Sequence, residues 1–437
     1  MPCGGYTTPA TRRGDPAATP SRRSGALPNV TDETTIVPLL EPREGIPPVI
    51  EDPADLARVV RAFAEGTGPV AVDAERASGY RYSGRAYLVQ LRRAGAGSAL
   101  IDPTYCPDLS ELDTALADAE VVLHAASQDL PCLAELGFRP RELFDTELAG
   151  RLLGYERVGL GLMVENVLGL KLEKGHSAAD WSTRPLPEDW LRYAALDVEV
   201  LVELRDVLYE ELRTSGKLAW AQEEFASVLA YKSPAPRSDP WRRTSGIHKV
   251  RSLRGLAVVR ELWTLRDEFA RESDLAPGRV LPDSAIITAA LELPRTTKAL
   301  TEIPPFTGRS ARRHLRDWLA AIGRGRALPD SELPQPSTPG DGPPPANRWM
   351  DRDPVAARRL AAARAVVAAL ADEHHMPTEN LVQPDAVRRL TWEPPSVIDE
   401  ETVSARLREL GAREWQIGLT AHPMAKALIR LETKGEI

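Results

Sequence analysis

Two acidic residues stand one position apart at the end of a short apolar run, Val70-Ala71-Val72-Asp73-Ala74-Glu75. The run predicts a β-strand, and residues two apart on a strand point to the same face, so Asp73 and Glu75 are expected side by side. Two carboxylates at that spacing repel each other, and each raises the other's pKa unless a cation lies between them. A divalent metal site is one interpretation, and a strand end that turns into solvent is the alternative.

Two later positions carry similar chemistry. Asp129 follows the apolar run Val121-Val122-Leu123-His124, at the predicted start of a helix. The N-terminal dipole of a helix favours a carboxylate, so helix capping is the alternative to a metal ligand there. Tyr193 and Asp197 are four residues apart on a predicted helix and therefore share a face; a surface acid beside a packed tyrosine is the alternative. Each signal alone is weak, and the combination in this order carries the prediction.

Strands and helices alternate around these residues. Gly95 and Gly97 indicate a hairpin turn between two strands, and Asp52 is a predicted helix cap. Adjoining strands followed by strands that alternate with helices predict a mixed sheet flanked by helices, an α/β fold. The predicted strands cover 70–72, 87–91, 98–102 and 121–124, and the predicted helices cover 53–65, 109–119, 129–136, 144–153, 160–168 and 188–215.

The composition excludes several classes of protein. The 437 residues are 43% hydrophobic and 27% charged, which predicts a globular chain of roughly two to four domains. No apolar run approaches the ~20 residues of a membrane helix, and the N-terminus has no apolar signal segment. Cys3, Cys106 and Cys132 lack metal-type spacing, and such sparse cysteines fit a reducing cytoplasm, where we expect the protein to act. The net charge of −8 argues against nucleic-acid binding over the whole surface.

Proline-rich stretches divide the chain into segments. The predicted order is a disordered tail at 1–45, an α/β domain at 46–232, a linker at 233–246, a helical domain at 247–326, a Pro/Gly-rich linker at 327–348 and a helical domain at 349–437. The two helical domains share a motif, since residues 279–286 align with 380–387, which suggests a degenerate duplication. Two unrelated helical domains that share a Pro-Asp helix start are the alternative.

The acidic positions and the tyrosine together form a recognisable pattern. Asp-x-Glu on a strand, an Asp that opens a helix and Tyr-x-x-x-Asp on a later helix resemble the DEDD exonuclease superfamily in its tyrosine-bearing branch. The resemblance to the ribonuclease D family is closer still, through Tyr-Leu-Val-Gln-Leu at 87–91, His-Ala-Ala-Ser-Gln-Asp at 124–129 and Ser-Ala-Ala-Asp-Trp-Ser-Thr-Arg-Pro-Leu at 177–186. One departure is Arg76, where an apolar residue is more usual, and the segment 76–85 is basic, which leaves the substrate contacts near the first motif open.

The resemblance implies a fold for each domain. The first is expected to be a ribonuclease H-like mixed-sheet exonuclease domain. Residues 247–326 are similar to a helicase-and-RNase-D C-terminal (HRDC) domain, and residues 349–437 are similar to a divergent second copy of it.

The resemblance also implies a role for each site residue. Two Mg²⁺ or Mn²⁺ ions about 4 Å apart can generate the nucleophile and stabilise the leaving oxygen, and such hard cations prefer carboxylate ligands. By the family's pattern Asp73 bridges both ions, and Asp129 supports the second ion partly through water. Glu75 and Asp197 hold the ion that generates the nucleophile. Tyr193 orients the attacking water, since a hydroxyl pKa of about 10 makes a poor base.

Other side chains are candidates for nucleic-acid contacts. Trp181 and Arg184 could line the RNA path by stacking and phosphate contact; the alternative is a buried Trp with an Arg that ties down a loop. Residues 247–326 carry 15 Lys and Arg against 9 Asp and Glu, which favours this domain as a nucleic-acid module over a merely solvated face. Its clustered arginines are Arg309, Arg312, Arg313 and Arg316. We expect no metal at His124, His176, His374 or His375.

The acidic set, together with the resemblance to the ribonuclease D family, predicts a metal-dependent 3′-to-5′ exoribonuclease, a monomer without membrane attachment. The resemblance implies that it trims structured RNA such as tRNA precursors and releases 5′-mononucleotides. The first alternative is a DNA 3′-to-5′ exonuclease, because the acids do not distinguish ribose from deoxyribose. The second is a non-catalytic RNA-binding scaffold, which would lack an acid or the tyrosine, whereas all five are present. A protein-interaction module would explain the helical repeats but not the five-residue set.

Overall fold

The computed structural model describes residues 36–173, 175–231, 238–335 and 342–433. Most of the predicted N-terminal tail and parts of both predicted linkers lie outside these ranges. Within them, no helix combines the length and the apolar character needed to cross a membrane.

A six-stranded mixed sheet forms the centre of the N-terminal half, as predicted. Two further strands, β1 (Val37–Leu39) and β8 (Leu170–Leu172), form a separate parallel pair. The strands of the large sheet are β2 (Val49–Ile50), β3 (Thr67–Arg76), β4 (Ala86–Ala94), β5 (Gly97–Ile101), β6 (Glu120–Leu123) and β7 (Glu142–Asp145). Their spatial order is β2-β5-β4-β3-β6-β7. The central strand β3 pairs antiparallel with β4 and parallel with β6.

The local sequence explains these strands. Val70, Ala71 and Val72 are fully buried in β3, as expected for an apolar run in the middle of a covered sheet. Gly95 and Gly97 have φ values of 85° and 77°, in the left-handed region that glycine adopts without strain. They join β4 to β5, so the predicted hairpin is confirmed.

Eight helices surround the sheet: α1 (Pro53–Glu65), α2 (Ser110–Ala115), α3 (Leu130–Glu135), α4 (Thr146–Leu153), α5 (Leu160–Leu168), α6 (Glu188–Glu199), α7 (Leu201–Thr214) and α8 (Leu218–Ala230). Asp52 caps α1 as predicted, since its Oδ1 accepts a hydrogen bond from the Ala54 amide at 2.7 Å. The helix predicted over 188–215 is two helices, because the chain bends at Val200 (φ −110°, ψ −2°). The apolar residues Leu143 and Phe144 form strand β7, which the sequence analysis missed.

Helix α6 packs on the face of the sheet formed by β3, β4 and β5. The apolar contacts of this layer include Leu88, Leu100, Ala194 and Ala195, all buried. The other face of β3 packs into the main core of the domain. Side chains that point from β3 towards α6 are therefore enclosed between a sheet and a helix.

Two helical regions follow. The first helical region consists of α9 (Leu253–Ser273), α10 (Pro277–Val280), α11 (Asp283–Glu292), α12 (Thr297–Thr301), α13 (Arg309–Arg313) and α14 (Leu315–Ala327). The second helical region consists of α15 (Trp349–Arg352), α16 (Pro354–Glu373), α17 (Thr378–Leu381), α18 (Pro384–Trp392), α19 (Glu400–Glu409) and α20 (Glu414–Thr433). In each, a long helix, a single-turn helix and a helix that starts at a Pro-Asp pair follow one another. The aligned stretches, 279–286 and 380–387, run in each region from the single-turn helix into the helix that follows it.

The hydrophobic cores of the two regions differ. The first helical region has a core of its own, built around residues such as Leu262, Phe306 and Trp318. The buried side chains of the second region, among them Trp349 and Leu390, belong to the same continuous core as the sheet.

Candidate active site

Strand β3 presents Asp73 and Glu75 towards α6. Asp73 lies opposite Gln90 and Glu75 lies opposite Leu88 in the antiparallel pairing with β4. Directly opposed residues of an antiparallel pair share a face of the sheet, and Leu88 belongs to the apolar layer under α6. Both acids are therefore enclosed: Glu75 is 8% exposed and Asp73 is half-buried. The strand end that turns into solvent is excluded.

Helix α6 brings the other half of the site to the strand. Tyr193 and Asp197 lie on one face of this helix, and the Asp197 carboxylate is near enough to raise the pKa of the Tyr193 phenol. One carboxylate oxygen each of Asp73, Glu75 and Asp197 lies within 4.8 Å of the other two. Residues that are distant in sequence thus form one compact group of acids.

Asp129 is buried at the edge of this group. It occupies the N-cap position of α3, but its side chain makes no capping hydrogen bond, so the capping interpretation is wrong. Its side chain is 8% exposed, and its carboxylate lies 3.6 Å from the guanidinium of Arg76. It stands outside the compact group of three acids but close enough to raise the pKa of Glu75.

Burial and mutual repulsion dominate the electrostatics of the four acids. Desolvation raises the pKa of Asp73, Glu75, Asp129 and Asp197 above the ordinary range of carboxyl groups, and the neighbouring carboxylates raise the pKa of all but Asp73 further. The Arg76 guanidinium opposes the shift at Asp73, Glu75 and Asp129. Within the part of the chain that the structure describes, the four carboxylates have one basic neighbour in ion-pair range. They therefore place uncompensated negative charge in an enclosed site, which a bound cation would relieve.

The donor set fits hard divalent cations. The compact group offers carboxylate oxygens, without the thiolate or imidazole donors that softer metals prefer. His124 is not part of this group; its Nδ1 lies 2.9 Å from the Thr146 hydroxyl. The acidic cluster is therefore able to bind metal.

Comparison with known protein families agrees with this geometry. A family model described as 3′-5′ exonuclease matches residues 47–213, and an HRDC domain model matches residues 255–322. A third model, described as 3′ to 5′ exonuclease C-terminal domain, matches residues 342–428.

Curated relatives decide the family. The chain is 32% identical over 336 residues to the ribonuclease D of Gluconacetobacter diazotrophicus, which covers 74% of this chain and 81% of that protein. The chain belongs to the ribonuclease D family. It is also 33% identical over 289 residues to the ribonuclease D of Escherichia coli, covering 65% and 75% of the two chains. The predicted 3′-to-5′ exoribonuclease activity is thereby confirmed at the level of the family.

Solved structures support the fold. A protein from Bifidobacterium adolescentis is 38% identical, with a TM-score of 0.82 over 90% of this chain and 99% of that one. Escherichia coli RNase D is 27% identical, with a TM-score of 0.64 over 89% and 98% of the two chains. The expected α/β exonuclease fold followed by helical regions is confirmed.

In this ribonuclease D fold Trp181 has a structural position. Its side chain is fully buried, and its Nε1 donates to the His176 carbonyl at 3.2 Å. The ring centroids of Trp190 and Tyr193 lie 5.3 and 6.4 Å away. A buried ring offers no face to a base, so the prediction that Trp181 stacks on RNA is wrong. Trp181 instead packs beside Tyr193 inside the protein.

The predicted phosphate contact of Arg184 is corrected as well. Its Nε and Nη2 bind the fully buried Asp102 carboxylate at 2.6 and 2.9 Å. Its remaining donors reach the carbonyls of Tyr87, Trp181 and Thr183. Because its donors are bound within the protein, Arg184 fastens the 181–184 loop to the sheet. This is the alternative that the sequence analysis gave for this residue.

The four clustered arginines of the first helical region, unlike Arg184, have exposed side chains. All four side chains are exposed on α13 and α14, and none forms an ion pair with another described residue. They remain predicted nucleic-acid contacts; they are Arg309, Arg312, Arg313 and Arg316.

The sequence analysis missed one contact of the site. It noted Arg76 only as a departure from the family pattern, whereas the structure places its guanidinium at Asp129. The signal in the sequence was a basic residue at position 76, where the family pattern usually has an apolar one. The residues that follow, 77–85, form what we call the rim segment; it leads away from the acids and contacts the first helical region.

Proposed function

We propose that this chain hydrolyses RNA from the 3′ end with two divalent ions, Mg²⁺ or Mn²⁺, held by four acids, of which Glu75 and Asp129 are buried and Asp73 and Asp197 are half-buried. The observation that carries the proposal is the meeting of Asp73, Glu75 and Asp197 within 4.8 Å, beside a tyrosine hydroxyl. Family membership supports the reaction class, and the all-oxygen donor set supports the kind of ion.

Each residue has a proposed part in the reaction. Bound ions would lower the pKa of a water and offset negative charge on the phosphate. Asp73 would contact both ions, with Glu75 and Asp197 on the nucleophile side and Asp129 on the other. Tyr193 would orient the attacking water. Burial and the nearby carboxylates of Asp197, Glu75 and Asp73 raise the pKa of this phenol, so it stays protonated at neutral pH and would position the water rather than remove its proton.

The proposed substrates are structured RNAs such as tRNA precursors, with 5′-mononucleotides as products. The E. coli relative is described as an exoribonuclease involved in structured RNA processing, and the exposed arginines of α13 and α14 are suited to phosphate contacts. DNA is the alternative substrate, because no contact at the acids distinguishes the two sugars.

Asp73→Asn tests the site assignment directly. The substitution keeps the shape of the side chain but removes the charge that two ions would share, so cleavage should fall by at least about a thousandfold while RNA binding is largely retained. The assay is release of labelled nucleotide from a 3′-labelled tRNA precursor with Mg²⁺, Mn²⁺ or EDTA. Asp206→Asn is the matched control, because Asp206 is an exposed acid on α7.

Three results would contradict the proposal: full activity of Asp73→Asn, activity in EDTA, or products other than 5′-mononucleotides. A DNA strand of the same sequence, digested in parallel, decides between RNA and DNA. Metal binding has an independent readout, since Mg²⁺ or Mn²⁺ should raise the melting temperature of the unaltered chain more than that of Asp73→Asn.

We also propose that the protein acts as a monomer in the cytoplasm. Cys106 and Cys132 are buried and unpaired, as is usual for proteins of a reducing compartment. Analytical ultracentrifugation of the purified chain tests the oligomeric state.

A further inference from the structure

Arg76 stands directly after the catalytic strand's second acid, where the family pattern usually has an apolar residue. We propose that Arg76 is a phosphate-binding residue of the active site, which contacts the RNA backbone beside the scissile bond. The inference rests on the proposed nuclease function, and its test reads RNA binding separately from cleavage.

The backbone at the end of β3 is irregular at this position. Glu75 pairs with Leu88, but Arg76 pairs with Ala86, so Tyr87 of β4 is an extra residue without a partner on β3. Such a bulge changes the direction of the side chains around it. The Arg76 side chain accordingly reaches Asp129, with 29% of its surface exposed.

The guanidinium of Arg76 has free hydrogen-bonding capacity. Its nearest carboxylate oxygen, at 3.6 Å, lies beyond hydrogen-bonding distance, and within the described residues its side chain donates no hydrogen bond. Arg184 is the contrast, because its guanidinium is bound to Asp102 and to three carbonyls. A half-buried guanidinium with five unengaged donors suits the bidentate geometry of a phosphate.

A cavity leads from solvent to this side chain. It has a volume of about 290 Å³, and Glu75 and Arg76 are its charged lining residues. The rest of the lining is small: Ala74, Ser78, Gly79, Ser177, Ala178 and Ala179. Among these Ser78, Gly79, Ser177 and Ala178 are exposed, so the cavity is open at the surface and reaches Glu75 and Arg76.

Charge gives the reason for a cation at this place. The two proposed ions would offset the charge of the four carboxylates, and an RNA phosphate brings further negative charge to the same place. Among the described residues, Arg76 is the single basic side chain within ion-pair distance of any of the four. A guanidinium is always protonated, so it offers the phosphate a fixed positive charge at the mouth of the site.

Arg76→Met tests the proposal, because it restores an apolar residue of similar length. On an Asp73→Asn background, which prevents cleavage, affinity for a single-stranded RNA with a free 3′-hydroxyl should fall roughly 10- to 100-fold. The dependence of log K on log salt should become shallower by about 0.7, the value for one lost phosphate contact on a single strand. In the otherwise unaltered chain, KM should rise by a similar factor.

Arg76→Lys and Arg85→Met are the companion variants. Lys keeps the charge and should recover part of the affinity. Arg85→Met removes one charge from the same stretch of chain, but this exposed guanidinium lies over the Tyr87 ring, 4.8 Å from its centroid; RNA affinity should stay within about twofold of the unaltered chain.

Two outcomes would overturn the proposal. If Arg76→Met lowers kcat but leaves RNA affinity and the salt dependence unchanged, Arg76 acts only by holding Asp129. If Arg85→Met weakens binding equally, the effect is one of overall charge. Failure of the nuclease function has a different signature: the unaltered chain would not cleave RNA with Mg²⁺ or Mn²⁺, whatever Arg76 binds.

Discussion

The two helical regions contact the exonuclease domain in different ways. The first contacts the rim segment through backbone and polar groups. The Ala276 amide donates to the Tyr80 carbonyl at 2.9 Å, and Arg279 donates to the Gly79 carbonyl at 2.8 Å while its guanidinium lies 4.0 Å from the Tyr80 ring centroid. Asp274 accepts a hydrogen bond from the Ser83 amide at 3.1 Å.

The second helical region contacts α8 through buried groups. The Glu224 carboxylate, 4% exposed, forms an ion pair with Arg413 and accepts hydrogen bonds from Trp415 and Gln416 at 3.0 and 3.2 Å. The rings of Trp220 and Trp415 stack with centroids 5.0 Å apart. This region therefore shares the core of the sheet domain.

The two helical regions are expected to affect different properties: the first affects substrate binding at the cavity, and the second affects the stability of the fold. Rim residues Ser78 and Gly79 line the cavity beside Glu75, so the first region holds a wall of the candidate active site. The second region lies against α8, which packs on β7 at the edge of the sheet. We expect damage to the first contact to change substrate kinetics and damage to the second to change the free energy of unfolding.

Arg413→Ala should have the largest effect. It leaves the Glu224 carboxylate buried without its cation, and breaking a buried ion pair from one side costs about 3 kcal/mol. Urea unfolding should show this loss, whereas kcat/KM per folded molecule should be unchanged. Arg408→Ala, which breaks the exposed pair with Glu414, is the control and should leave the unfolding curve nearly unchanged. If Arg413→Ala unfolds at the same urea concentration as the unaltered chain, the second contact does not stabilise the fold in the way proposed.

Lys217 should make the second contact depend on pH. Its Nζ donates to the carbonyls of Leu152 and His374, both at 2.6 Å, and burial lowers its pKa from 10.5 to about 8. Between these values the unfolded chain binds more protons than the folded one, so this group makes stability rise with pH. The gain should be roughly 2 kcal/mol from pH 8 to 10.5.

The measurement for Lys217 is the free energy of unfolding against pH, compared with Lys217→Met. Other titrating groups are common to both proteins, so the difference isolates this lysine. Parallel curves for the two proteins across that window would rule out a lowered pKa.

Arg279→Met should have the smallest effect, and it should change KM rather than the free energy of unfolding. It removes the hydrogen bond to Gly79 and the contact with the Tyr80 ring, worth about 1 kcal/mol together, so KM should rise about fivefold. Amide hydrogen exchange should become faster in the rim segment, with little change in melting temperature. Arg295→Met, an exposed arginine on the same region, is the control. A loss of stability without a change in KM would mean that the rim contact serves only the fold.

Much of the candidate site was predictable because it depends on local spacing. Alternation along a strand placed Asp73 and Glu75 on one face, and the helical repeat did the same for Tyr193 and Asp197. The positive φ values at Gly95 and Gly97 follow from a preference of the residue type itself. Such features require only a few neighbouring residues.

Other features depend on which elements meet. Strand β7 was missed because its apolar pair Leu143 and Phe144 also fits a buried helix, and the choice is made by pairing with β6. Asp129 at a helix start has the sequence of a cap, yet its side chain makes no capping hydrogen bond. Trp181 and Arg184 looked equally suited to RNA and to the fold until their burial and partners were known.

The sequence by itself determined the reaction class, because the types and order of five residues define the acids and the tyrosine of the exonuclease pattern. Tertiary structure alone decided how they work together. Packing of α6 on β3 brings Asp197 to Asp73 and Glu75, and the bulge at the end of β3 turns Arg76 towards Asp129. The physical reason is range: spacing and propensity act over a few residues, whereas burial, charge and pairing depend on residues that only the folded chain brings together.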